Sequence, residues 1–352
     1  MQIDALISPP LLTNDLPGLG GRIKAEIDDF EVEEIPAYPP SGQGDFLYLW
    51  IEKRDMGAEY FVRQVARRLE IPPGEVGSAG LKDRRAITRQ MISVPQAAES
   101  RLNQVDGDGI RVLKVNRHSN KLKPGHLHGN RFRILVRDPR RDEPALGALL
   151  TRIRSHGLPN YYGPQRFGRD GETLKTGLAM LRGEKPERPV RSPFLRKLVL
   201  SAVQSGLFNH YLATRLNDGL FCTVLGGDVM AKLPAGGMFV AEDVPREQAR
   251  FEARETVMAG PIFGRKTFAA AGHAARREAE TLAAFGLTPA SFAGFGKLMQ
   301  GTRRHNLVYV DDLSAEWEPG GLRLSFTLPA GSYATVLLRE ITKVESHGEI
   351  DE

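Results

Sequence analysis

Between Gly77 and Met91 the chain reads GSAGLKDRRAITRQM, which sets one carboxylate, Asp83, among Lys82, Arg84, Arg85 and Arg89. Cationic neighbours favour the charged form of an acid. An ionised carboxylate on a glycine-opened loop suits nucleophilic or electrostatic work beside a polyanion, and it equally suits a solvated turn. A second concentration of charge lies downstream. Arg111 to Arg137 holds eight Lys or Arg, three His and no acid, in a chain whose total formal charge is +5. The rest of the chain is therefore net acidic. So focused a positive field fits a phosphate backbone, where each neutralised phosphate releases counterions. A solvated basic strand–loop–strand has the same composition. No amphipathic basic helix of the kind that lies on an acidic membrane accompanies the run.

Other chemistries find less support. His126-Leu127-His128 has the local spacing of a metal pair, but no third Cys or His motif accompanies it, and no metal is expected. The GLGG at Gly18 to Gly21 lacks the strand and helix of a phosphate-binding loop. No nucleophile elbow surrounds any serine. The single cysteine, Cys222, excludes an internal disulfide and fits a reducing compartment. The opening residues show no basic start followed by an apolar run, and no stretch approaches the roughly 20 apolar residues of a membrane span. A cytoplasmic protein is expected. With 352 residues, 41% of them hydrophobic and 26% charged, the chain is long enough for two domains.

Several elements must position these groups. Alternation at Phe30, Val32 and Ile35 predicts an early strand, and GDFLYLWIEKRD a second, with Phe46, Tyr48 and Trp50 on one face. Ala58, Phe61, Val62, Val65, Ala66 and Leu69 recur at helical spacing, opposite Arg63, Arg67 and Arg68. That helix must stop at IPPG. ITRQMISVP resumes as a strand, so Asp83 falls on a connection between regular elements. At Arg131 to Arg137, Phe132, Ile134 and Val136 alternate with Arg131, Arg133 and Arg137. From about Asn160 to Thr302 helical patterns dominate. The end returns to strand signals in HNLVYVDDL, LRLSFTLPAG and YATVLLREITKV.

AGLKDRRAITRQ, NYYGPQRFG and LPAGSYATVLLREI resemble signatures of the tRNA pseudouridine synthase D (TruD) family, and DDFEVEE and GHLHGNRF resemble two further blocks. The five occur in family order from about Lys24 to Glu340. Relatives often carry Asn where this chain has Thr173, a departure that touches a contact of the inserted domain and not the reaction.

The resemblance implies isomerisation of a tRNA uridine, at position 13, to its C-glycoside. The reaction needs no redox cofactor and no metal, and its catalytic carboxylate is the Asp of the KD motif, Asp83. Attack on the uracil ring and promotion of base loss from the sugar both remain open. The target base must leave its stack at a cost of a few kcal/mol. Aromatic platforms return roughly 1–3 kcal/mol per base. The resemblance implies Phe30, Asn130, Phe132 and Phe326 for base binding, with Tyr333 secondary; the amide of Asn130 offers uracil's imide edge both a donor and an acceptor. On alternation alone Phe132 and Phe326 read as core. Lys82, Arg84, Lys121, Lys123, Arg131 and Arg133 are the candidates for the RNA backbone, and Lys82 and Arg84 equally for pairing with Asp83. NYYGPQRFG reads as an aromatic-packed junction, with Arg166 and Arg169 as candidates to face RNA.

The expected fold is α+β. A mixed, largely antiparallel pseudouridine-synthase sheet is built from residues 1–155 and 304–352, with a second α/β domain inserted at 156–303 and tRNA held in a cleft lined by the basic run. A monomer is expected. The competing class is a tRNA-binding module without catalysis, which would leave bound uridine unchanged.

Overall fold

The computed structural model describes residues 3–80, 82–234 and 236–345. Strands β1 (Phe30–Pro36), β2 (Phe46–Arg54), β3 (Gly77–Ser78), β4 (Ile87–Pro95), β5 (Ile110–His118) and β6 (Leu127–Val136) join the strands Ser314–Glu318 and Gly321–Pro329. Together these form an eight-stranded sheet. From one edge the order is Ser314–Glu318, Gly321–Pro329, β6, β1, β4, β2, β5, with β3 beside β4. The β1–β4 pair is parallel and the other pairs are antiparallel. The fold class is α+β, as expected.

Register gives this sheet two chemically distinct faces, because residues paired across strands point the same way. One row runs Lys53, Thr88, Val32, Phe132, Phe326 through five strands. The next runs Glu52, Arg89, Glu33, Arg131, Thr327 and points to the opposite side. On the first face the helix Ala58–Leu69 buries Phe61, Val65, Ala66 and Leu69 against Leu47, Leu49, Ile51, Ile92 and Val94. The chain leaves that helix through Glu70 in the left-handed region, just before Pro72 and Pro73.

By their contacts, described residues 19–150 and 310–334 form one unit, and residues 3–18, 151–309 and 335–345 form another. The order of strand signals assigns the terminal segments to the sheet-bearing unit; their contacts put them with the inserted residues. Leu6 and Leu12 pack into the cores of the inserted residues, Asn209 donates to the Leu6 carbonyl at 2.9 Å, and the buried Glu340 carboxylate ties the two terminal segments to each other. It accepts the backbone N–H of Leu12 at 2.9 Å and of Thr13 at 3.0 Å, and the Thr13 hydroxyl at 2.5 Å. The second unit is organised around the helix Pro193–Asn217, whose Arg215 is fully buried and donates to Asp228 at 2.7 and 3.0 Å. NYYGPQRFG packs here through Tyr161 and Phe167, with Arg166 donating to Ser205 Oγ at 3.2 Å. Thr173 lies in the first turn of the helix Glu172–Leu181 and donates its N–H to the Phe167 carbonyl at 3.0 Å.

One sequence expectation is corrected. YATVLLREITKV reads as a strand, but Ala334–Thr342 is a helix. Ala334, Leu337, Leu338 and Ile341 are the buried positions, and their spacing of three, four and seven is helical.

Where β6 meets the strand Gly321–Pro329, Gly129 leaves no room for a side chain: a Cβ there would stand 2.3 Å from the Leu328 carbonyl oxygen. Backbone cannot yield as a side-chain tip does. Gly129→Ala is expected to lower unfolding stability by about 1–3 kcal/mol. Urea titration followed by circular dichroism reads this directly, and an unchanged midpoint contradicts it.

Candidate active site

Asp83 lies on the connection from β3 to β4, and its neighbours each have a partner of their own. Lys53 of β2 is wholly buried and donates from Nζ to the Asp83 carbonyl oxygen at 3.0 Å, and also to the Met56 carbonyl. Lys82 Nζ sits 2.6 Å from Glu34 Oε2. Arg85 donates to the Ala25 carbonyl at 2.9 Å. Arg89 belongs to the opposite sheet face, 2.9 Å from Glu52 and 3.4 Å from Glu31. Arg84 is exposed.

The Asp83 carboxylate instead meets a residue that no sequence motif singles out. Lys24 Nζ lies 2.8 Å from Asp83 Oδ1, and the Asp83 side chain stays 39% exposed. Lys24 adopts φ +54°, a left-handed conformation that costs a non-glycine residue about 1–3 kcal/mol. Its ammonium also lies 4.6 Å from the centroid of the Phe30 ring. No local pattern marks Lys24, which is 59 positions from Asp83.

Phe30, Phe132 and Phe326 are brought together. Phe30 meets Phe132 edge-on at 6.3 Å between centroids, and Phe132 stacks on Phe326 at 5.2 Å. All three are buried, the most exposed being Phe132 at 6%. All three pack in the core, where alternation alone puts Phe132 and Phe326, and Lys24 lies between Phe30 and Asp83. Asn130 lies on the same face of β6 as Phe132, opposite Glu34 in register. Its Oδ1 is buried and has no hydrogen-bond partner among the described residues. A buried carbonyl left unsatisfied costs about 1–3 kcal/mol. Tyr333 is half-buried beyond the LPAG turn.

The candidates for the RNA backbone separate. Lys82, expected on phosphate or on Asp83, is turned inward, 4% exposed, onto Glu34. Arg131 and Arg133 lie on the face opposite the Lys53–Phe132 row. Arg131 pairs with Glu33 at 3.4 Å, and Arg133 stands 3.8 Å from both Glu31 and Glu318. Lys121 and Lys123 occupy the turn between β5 and β6, where Gly125 donates its N–H to the Ala79 carbonyl at 2.8 Å. That turn therefore abuts the start of the Asp83 loop. Lys123 is exposed, and Lys121 reaches the Gly74 carbonyl. His126 Nδ1 is 2.6 Å from the Tyr38 hydroxyl, and His128 is exposed. Among the described residues no three His, Cys, Asp or Glu side chains gather as a metal site would need, and no helix is long and apolar enough to cross a membrane.

Comparison with known proteins adds a family. The model for tRNA pseudouridine synthase D (TruD) matches residues 7–192 and 189–341. The chain is 46% identical over 342 residues to the tRNA pseudouridine synthase D of Anaeromyxobacter dehalogenans strain 2CP-1, covering 96% of this chain and 97% of the relative. It is 43% identical over 338 residues to a tRNA pseudouridine synthase D of Thermus thermophilus, covering 96% and 93%. A crystal structure of a TruD-family protein from Methanosarcina mazei superposes with a TM-score of 0.81 at 25% identity, covering 97% of this chain and 98% of that one.

Proposed function

Because the chain belongs to the tRNA pseudouridine synthase D (TruD) family, we infer that it isomerises a uridine of tRNA, at position 13, to pseudouridine, with Asp83 as the nucleophile. The carrying observation is a carboxylate that stays 39% exposed on a loop whose backbone is held by Lys53 and whose preceding lysine, Lys82, is held by Glu34. Such a group is fixed in place yet open to a substrate, which is what covalent carboxylate catalysis needs.

The reaction balances within one nucleotide. The N1–C1′ bond breaks, the base turns, and a C1′–C5 bond forms; C5 loses a proton and N1 gains one. No electron leaves the substrate. Lys24 engages Asp83 Oδ1 at 2.8 Å, and the reaction falls to Oδ2. Addition to the ring and promotion of base loss both use that oxygen. The buried Asn130 Oδ1 accepts the imide N3–H of uracil, an interaction that a cytosine, lacking that proton, does not offer. Phe30, Phe132 and Phe326 form the apolar floor of the base site, with Phe30 joined to the carboxylate through Lys24. Lys121, Lys123 and the exposed Arg84 draw in the phosphate backbone, since the turn of the first two adjoins the Asp83 loop. A tRNA substrate is in keeping with a cytoplasmic protein.

Asp83→Asn keeps the side chain's size and removes its charge. The variant is expected to bind tRNA as wild type does and to form no pseudouridine in a single turnover. Product from the variant contradicts the nucleophile assignment. A wild type that binds tightly and leaves only uridine across several tRNAs favours a binding module instead.

Lys24→Met removes the ammonium beside the carboxylate. A hydrogen bond to a charged group contributes about 1.5–3 kcal/mol. If that contribution orients Asp83 in the transition state, the single-turnover rate falls by about 10- to 100-fold. Rapid-quench measurement at saturating tRNA reads this, and a wild-type rate removes Lys24 from the mechanism.

The basic run divides into two halves with different expected behaviour. Lys121→Ala/Lys123→Ala should flatten the dependence of log Kd on log salt by about 1 for each phosphate no longer neutralised. Arg131→Ala/Arg133→Ala should leave that slope nearly unchanged, because those charges are already matched by Glu31, Glu33 and Glu318 on the other face. Filter binding across a salt series distinguishes the pairs, and the reverse ranking places RNA on the ion-paired face.

A further inference from the structure

The Lys82–Glu34 ion pair is a contact that the chemistry above leaves unused. Its partners are 2.6 Å apart, with side chains 4% and 1% exposed. Glu34 Oε1 accepts the Met91 N–H at 3.3 Å, just past Glu33 and Arg89, the last pair in the β1–β4 register. One carboxylate thus ties the end of β1 both to β4 and to the residue immediately before Asp83.

Stability alone does not account for this arrangement. Removing two ions from water costs heavily, and apolar residues of similar volume often serve a core as well or better. An ion pair adds direction, because the ammonium must sit where the carboxylate is. A role for Lys82 on phosphate would require it to leave a partner at 2.6 Å inside the protein. The Asp83 carbonyl is meanwhile held by Lys53 at 3.0 Å. The loop is therefore fixed to β1 through the residue before Asp83 and to β2 through Asp83 itself.

We propose that Lys82 and Glu34 are positioning residues, which set the place of the Asp83 carboxylate against the target base without touching the RNA. The proposal rests on the assignment of Asp83 as nucleophile. A displacement of about 1 Å in a reacting group costs about a hundredfold in rate, so loss of the pair should show in the chemical step.

The test compares wild type, Lys82→Met, Lys82→Met/Glu34→Gln and Lys82→Arg by three measurements: Tm, tRNA Kd, and single-turnover pseudouridine formation at saturating tRNA. Lys82→Met strands a buried carboxylate and should lower both Tm and rate. The double variant removes the stranded charge and keeps an acceptor for Met91. Its Tm should return most of the way to wild type, with Kd within about twofold, while the rate stays at least about tenfold low. Recovery of rate together with Tm overturns the proposal and makes the pair structural only. A weakening of Kd as large as the fall in rate also overturns it, by placing Lys82 on RNA. Should the double variant fail to fold, Lys82→Arg decides, because it keeps the charge on a longer arm. Wild-type Tm with a slowed reaction then supports positioning, and an unchanged rate refutes it. Wild type that yields no pseudouridine from any tRNA overturns the Asp83 assignment as well, and so separates that failure from failure of the pair alone.

Discussion

The hydrogen bond from the Lys53 ammonium to the Asp83 carbonyl is the contact that ties the Asp83 loop to the sheet. Lys53 is wholly buried, and a charge taken out of water is tolerated only where its donors find acceptors. The carbonyls of Met56 and Asp83 supply two of them, at the end of β2 and in the loop before β4. The loop backbone is therefore bound to the sheet by a group that cannot relax toward solvent without uncovering apolar neighbours. The backbone at Asp83 thus has a fixed donor, and the carboxylate beyond it turns on its side-chain torsions.

Register carries that constraint across the sheet. A period of two sends Lys53, Val32, Phe132 and Phe326 to one side and Glu52, Arg89, Glu33 and Arg131 to the other. The second side is a mesh of ion pairs in which Arg89 reaches Glu31, Glu33 and Glu52, while Arg133 and Arg323 share Glu318. Exposed pairs of this kind stabilise by about 0–1 kcal/mol each. Their larger effect is on the field. They neutralise part of the positive run of residues 111–137, so its reach toward a polyanion rests on the members without acids opposite them. A one-residue slip of register would exchange the faces and put the arginines in the core.

Much of this was legible in the sequence, and the remainder was illegible for definite reasons. Alternation marks β1, β2, β4 and β6, helical spacing marks Ala58–Leu69, and five ordered blocks mark the family and Asp83. Lys53 had a usable signal: it continues the parity of Leu47, Leu49 and Ile51, which implies a buried lysine in need of acceptors. Lys24 had none, because its contact with Asp83 is made by the fold across 59 positions. The helix Ala334–Thr342 was hidden by its shortness, since the apolar positions of a nine-residue segment satisfy a strand pattern as readily as a helical one. The association of residues 12–13 with Glu340 spans more than 320 positions and leaves no local trace.

The basic setting of Asp83 thus has a different cause from the one its composition suggests. A carboxylate ringed by four free cations would be screened from a substrate by the groups that keep it charged. The fold draws three of the four away: Lys82 goes inward to Glu34, Arg85 to the Ala25 carbonyl and Arg89 to the far face of the sheet, while Lys24, delivered from outside the motif, meets the carboxylate at 2.8 Å. Lys82 and Asp83 are adjacent, so the inward turn of one directs the other outward: the lysine side chain is 4% exposed and the aspartate side chain 39%. Burial of the cation is what presents the anion. A loop that simply lacked lysine at 82 would lose its tie to Glu34 at the end of β1 and keep only the Lys53 contact to the Asp83 carbonyl.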